Sequence, residues 1–168
     1  MQRSLFLATA VLLLDQLSKW AVLLQGTQPR HILEVTGFFN LVLTYNTGVS
    51  FGLFQGEAAW QPYVLVALNI VVAAGLLIWL RREQVKAGAV GLLPWAVGLV
   101  VGGALGNAID RLHLPGVVDF LDFHLAGWHW PAFNVADSSI VVGVVLIIAD
   151  GLFLPGRPGG RPDGKAAD

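Results

Sequence analysis

Four apolar stretches, each long enough to cross a lipid bilayer, leave this chain few folds to adopt. A helix needs about 20 apolar residues to span the hydrocarbon core. The runs at about 5–24, 62–80, 87–109 and 135–154 meet that length. Backbone polar groups in lipid must be satisfied within the spanning element, so each run is expected to be helical. Composition agrees: 55% of the 168 residues are hydrophobic and only 12% are charged, about half the charged share usual in soluble domains. The first run follows Arg3 in the manner of a cleavable leader. However, Asp15-Gln16-Leu17-Ser18-Lys19 interrupts it with no small-x-small cleavage site, and it resumes at Trp20. It reads as a retained span.

The basic residues orient the spans. Arg3, Arg81, Arg82, Lys86, Arg157, Arg161 and Lys165, seven of the ten Lys and Arg, fall on one side. Cytoplasmic loops carry such an excess. Both termini and an Arg81–Lys86 loop are therefore expected in the cytoplasm, with about 26–60 and 111–134 outside. Trp20, Trp60, Trp128 and Trp130 gather at that outer boundary, where amphipathic rings prefer to sit. The stretch from Ile32 to Phe54 is rich in Val, Thr, Phe and Tyr and punctuated by glycine, which reads as short strands. The expected fold is a mainly α membrane protein with four transmembrane helices and a small extracytoplasmic β-sheet on the outer face. One membrane-embedded domain covers 1–154. The Pro- and Gly-dense stretch 155–168 reads as a disordered cytoplasmic tail.

Several function classes are excluded. A net charge of −1 offers no basic face for nucleic acid. The absence of cysteine removes disulfides, thiolate nucleophiles and cysteine-ligated zinc. His31, His113, His124 and His129 match no common metal-ligand spacing, so no metal and no cofactor are expected. Ser138 and Ser139 lack a context for a Ser–Lys pair with Lys19.

The polar residues beside the spans carry the chemistry. Asp15 and Lys19 are four apart and can pair on one helix face, while Gln16 points elsewhere. Asn107, Asp110 and Arg111 form a polar end to the third span, where Arg111 can clamp a carboxylate or the Asp110 side chain. Gly98, Gly102, Gly103 and Gly106 on the same run signal close helix packing. Asn134 reads as the cap of the fourth span, with Asp137 about three residues inside. Asp119 stands in the apolar segment Val117–Leu121, read as a loop dipping toward the bilayer. A carboxylate at the edge of hydrocarbon is costly and is usually paired, hydrated or functional. Two of them, 18 residues apart across one loop, suggest a pair that activates water next to the membrane.

Five strings appear in order: Asp15-Gln16-x-x-Lys19, Asn46-Thr47-Gly48-x-x-Phe51, Gly102-Gly103-Ala104-Leu105-Gly106-Asn107-x-x-Asp110-Arg111, Val117-Val118-Asp119-Phe120 and Phe133-Asn134-x-Ala136-Asp137. Their order and spacing over roughly 12–150 resemble lipoprotein signal peptidase, also called signal peptidase II. The resemblance implies an aspartic endopeptidase of the bacterial cytoplasmic (inner) membrane. Such an enzyme removes the signal peptide from a prolipoprotein, cutting before a cysteine that already carries a diacylglyceryl group. It implies Asp119 and Asp137 as the catalytic pair, supported by Asp15, Lys19, Asn46, Gly48, Asn107, Arg111, Asn134 and Ala136. It further implies membrane lipid as a partner, globomycin as an inhibitor, and neither metal nor covalent intermediate. The chain is expected to work as a monomer. Val49-Ser50, where many members carry two small residues, departs from the pattern and bears on the packing of an outer lid. A proton-coupled transporter also places Asp and Lys in spans, and a helical scaffold needs no chemistry. The absence of an internal repeat and the gathering of polar groups toward one face favour the peptidase.

Overall fold

The computed structural model describes residues 1–25, 32–48, 60–87 and 91–153. In chain order these form α1 (Gln2–Leu24), β1 (Leu33–Thr36), β2 (Phe39–Asn46), α2 (Gln61–Ala87), α3 (Leu93–His113), β3 (Val117–Leu125), β4 (Trp128–His129) and α4 (Val135–Phe153). All four helices are long and apolar enough to cross a membrane. The stretch 155–168, Val49-Ser50 and His31 lie outside the described residues.

Two boundaries differ most from the sequence reading, the end of α2 and the start of α3. The Arg81–Lys86 segment continues α2 instead of forming a loop, because Arg, Glu, Gln and Lys are good helix formers and carry the helix past its apolar part. α3 starts at Leu93, with Pro94 in its first turn, where a missing N–H does no harm. Asp150 of α4 accepts the Leu92 N–H at 3.1 Å and so caps the entry to α3.

α3 is the central helix. Of its apolar window 78% is buried, against 28, 22 and 22% for the other three. It packs against α1, α2 and α4, and glycine makes the approach possible. A methyl placed on Gly98 would stand 2.7 Å from Ser4 O, and one on Gly102 would stand 2.6 Å from Ala8 O. One on Gly103 would strike Ala136 O, and one on Gly106 would strike the Asp15 carboxylate. α1 and α3 therefore run parallel, α4 runs against them, and backbone meets backbone. The C-termini of α1 and α3 and the N-terminus of α4 share one end of the bundle.

At that end lies one antiparallel sheet in the order β1-β2-β3-β4. The segment from Val117 is thus a strand rather than a re-entrant loop. Val118 and Phe120 join Val22 and Leu43 in a small core. The period-2 alternation of a strand turns Asp119 to the other face. β3 and β4 are joined by the two-residue turn Ala126-Gly127, both with positive φ, the backbone that fits the twist of a tight hairpin. The returning chain binds β3 again: Leu121 and Phe133 exchange hydrogen bonds of 2.9 and 3.1 Å. That bridge delivers Asn134, and then α4, to the side of Asp119.

Overpacking a tight core costs about 1–3 kcal/mol. Gly102→Ala and Gly103→Ala are each expected to lower the melting temperature in detergent micelles. Gly75, whose added methyl would meet nothing within 4 Å, serves as the control, and Gly75→Ala should hold or raise it. Equal behaviour of the three variants would contradict the close packing of α3.

Candidate active site

A buried ammonium organises the polar residues at the sheet end. Lys19 Nζ lies 2.8 Å from Asp15 Oδ2 and 2.8 Å from Asp110 Oδ2, and donates to Asn107 Oδ1 at 3.1 Å. An ammonium has three N–H donors, so all are used. Gln16, read from the sequence as pointing away, belongs to the same cluster. Its Nε2 donates toward Asp110 Oδ1 at 3.0 Å, Asp15 Oδ2 at 3.3 Å and Gly106 O at 3.3 Å. It stands one residue past Asp15, so it reaches the neighbouring flank of α3.

Asn107 carries the cluster toward α4, donating to Asp137 Oδ1 at 2.8 Å. Asn134 completes the link. It is fully buried and is the cap of α4: its Oδ1 accepts the Asp137 N–H at 2.9 Å. That bond fixes Asp137 in the first helical turn. The other end of the same amide donates to Asp119 Oδ1 at 2.6 Å and to Val118 O at 3.2 Å. One side chain thus holds both carboxylate-bearing residues. Asn46, at the end of β2, donates to Asp119 Oδ2 at 3.1 Å, and its Oδ1 accepts the Gly48 N–H at 3.1 Å. The Asn-Thr-Gly string is a turn, as read, and also a grip on Asp119. The Ala136 N–H goes to Asp15 Oδ1 at 2.9 Å.

Arg111 does not clamp the Asp110 side chain. It stands one residue further round the helix, and its hydrogen bonds go to Asn107 O at 3.2 Å and Gly48 O at 2.9 Å. Its charge acts on Asp137, Asp119 and Asp110. Among the described residues, Arg111 Nε is buried without a partner. Ser138 and Ser139 donate to the backbone of their own helix.

Asp119 is only 2% exposed. Burial, followed by the Asp137 charge, pushes its carboxyl up to about 7, against the pull of hydrogen bonds from Asn46 and Asn134 and of the Lys19 charge. Two carboxyls in one site cannot both ionise cheaply. All the candidate residues named from the sequence meet in this one region. Asp110, read from the sequence only as part of the polar end of the third span, and Gln16, read as pointing elsewhere, join them. Their signals were the i, i+3 step from Asn107 and the adjacency to Asp15.

The described histidines do other work. His124 and His129 face each other across β3 and β4, with rings stacked at 4.9 Å, and His129 Nδ1 lies 2.9 Å from Asp122. His124 borders an aromatic cleft of about 500 Å³, lined by Phe38, Phe123, Trp128 and Trp130 among others. None of the candidate site residues lines that cleft.

A family model described as Signal peptidase (SPase) II matches residues 7–153. The chain belongs to the signal peptidase II family. A lipoprotein signal peptidase of Burkholderia vietnamiensis is 50% identical over 145 residues, covering 84% of this chain and 82% of that protein. The protein of the same name from Janthinobacterium sp. is 43% identical over 152 residues, covering 90% and 88%. Two solved bacterial membrane enzymes share the fold. The first has a TM-score of 0.78 at 27% identity, covering 99% of this chain and 96% of that one. The second scores 0.74 at 29% identity, covering 91% and 94%. Signal peptidase II membership makes this chain an aspartic peptidase of lipoprotein signal peptides, carried by a multi-pass bacterial membrane protein.

The raised Asp119 carboxyl has a signature in stability. An ordinary aspartate titrates near 3.8, and this one is held at about 7. The folded chain therefore keeps that proton more tightly than the unfolded chain. The resulting stability is full below about pH 4 and is lost as pH rises toward 7. Asp119→Asn cannot ionise. Its melting temperature, measured relative to wild type, should climb between those limits and level off above. A difference flat across the range would mean that position 119 titrates as an ordinary carboxyl.

Proposed function

We propose that Asp119 and Asp137 form a catalytic pair that hydrolyses a prolipoprotein on the amino side of its diacylglyceryl-modified cysteine. The observation that carries this reading is the Asn134 amide, bonded at one end to Asp119 Oδ1 at 2.6 Å and at the other to the Asp137 N–H at 2.9 Å. One buried amide thus ties the strand that carries the first carboxyl to the helix that carries the second.

In the proposed reaction one carboxyl is ionised and its partner is protonated. The ionised member takes a proton from water as the oxygen attacks the scissile carbonyl, and the protonated member donates to the carbonyl oxygen. The tetrahedral diol collapses, with a proton delivered to the leaving amine. No covalent intermediate forms. Arg111, anchored through Nη1 and Nη2, keeps Nε as a donor for a substrate backbone carbonyl. Asn46 and Asn107 orient the pair. The low dielectric beside the bilayer strengthens each of these interactions.

The lipid-facing walls of the spans would receive the acyl chains and the signal helix. Residues 1–154 would act as one membrane-embedded unit, with both termini cytoplasmic and the pair at the outer face. Exposed Trp20, Trp60, Trp128 and Trp130 suit the interface at that end. A globomycin-type peptide is expected to compete for the same site.

Cleavage of a synthetic diacylglyceryl-modified precursor, with and without globomycin, tests the reading. Asp119→Asn and Asp137→Asn should each lower kcat by at least about 100-fold while the protein still inserts. Near wild-type turnover by either variant would refute the pair. The wild-type rate should also fall on the alkaline side with an apparent pKa close to the Asp119 value of about 7, as the second proton leaves. An activity still rising through pH 8 to 9 would argue for a different base.

A further inference from the structure

We infer that Asp110 is a positioning residue for Asp119, one arm of a gauge whose other arm is Asp15 and whose shared counter-ion is Lys19. The inference rests on the proposed pairing of Asp119 with Asp137. Asp110 Oδ2 accepts the N–H of Val118, the residue before Asp119, at 3.1 Å. Asp15 Oδ1 accepts the N–H of Ala136, the residue before Asp137, at 2.9 Å. Both carboxylates lie 2.8 Å from Lys19 Nζ, and Gln16 Nε2 spans them a second time at 3.0 and 3.3 Å.

β3 and α4 are separate elements, and the chain makes a hairpin excursion between them. The Lys19 centre fixes their spacing through two backbone amides that any side chains at 118 and 136 would present. Asp110 is ill suited to its place on other grounds. It is 2% exposed and lies in the last turns of α3, where the helix dipole disfavours an anion. A buried ion pair is weak evidence of a stabilising purpose, since apolar residues often serve as well or better. A grip on the strand that carries Asp119 gives this one a purpose. Misplacement by about 1 Å can cost on the order of 100-fold in rate.

The test uses the full chain in detergent with the lipidated precursor, measuring kcat, KM and melting temperature for Asp110→Asn, Asp110→Glu and Asp110→Ala. Asp110→Asn keeps an oxygen where Val118 N–H needs it, and should retain kcat within about tenfold. Asp110→Glu keeps the charge beside Lys19 but displaces the oxygen. It should lose kcat about 30- to 100-fold, with KM within about threefold. Asp110→Ala should lose at least as much. Activity would then follow acceptor position while melting temperature follows charge, an order that a purely structural residue would not give. The Asn and Glu comparison stands even where Asp110→Ala fails to fold. Active Asp119→Asn or Asp137→Asn would overturn the pairing itself. With both inactive, Asp110→Glu within about twofold of wild type, or Asp110→Asn as impaired as Asp110→Glu, would overturn the gauge alone.

Discussion

An ammonium set among bilayer-spanning helices has no bulk water to satisfy it, so its partners must come from the protein. Lys19 finds them on three sides: Asp15 on its own helix, and Asp110 and Asn107 on α3. Removing one partner of such a buried group typically costs about 3–5 kcal/mol, because a charge is left uncompensated. The rest of the polar architecture is attached to this centre. Asp15 reaches the first turn of α4, Asp110 reaches β3, and Asn107 reaches Asp137. The glycine row of α3 lets the helices approach closely enough for these short side chains to meet.

On this frame Asn134 does two jobs with one amide. As a helix cap its oxygen satisfies an N–H that would otherwise be orphaned. Its nitrogen is then left pointing away from the helix, toward Asp119. The start of α4 and the strand carrying Asp119 are therefore in register because the cap is an asparagine. Serine or threonine could cap the helix, but neither carries a second donor on a separate nitrogen. The Leu121–Phe133 bridge brings the chain back to the right place before the cap is reached.

Much of this was legible in the sequence. Length and hydropathy announce the four spans, and the Gly98–Gly106 row announces their packing. The Asp119 and Asp137 strings stand out because acids beside apolar runs are rare. Other parts could not be read. β3 opens with Val117 to Phe120 all buried, on both faces, so the alternation that marks a half-exposed strand is missing. The turn that closes its hairpin uses Ala126 at positive φ, where an Asn or a Gly would have given the signal. Asp110 and Arg111 look like natural partners in sequence, yet adjacent positions on a helix face different ways. Only the packing of α1 against α3 makes Lys19 the partner of Asp110. Gln16 was passed over for the same reason.

On the proposed pairing, the Asp137 charge raises the proton affinity of Asp119. Infrared titration with isotope-labelled aspartate, on wild type and the two single variants, addresses it directly. A protonated carboxyl band persisting to about the Asp119 value of 7, absent in Asp119→Asn and shifted to lower pH in Asp137→Asn, is the expected result. Full ionisation of Asp119 below about pH 5, in the ordinary carboxylate range, or a band unmoved by Asp137→Asn, would contradict it.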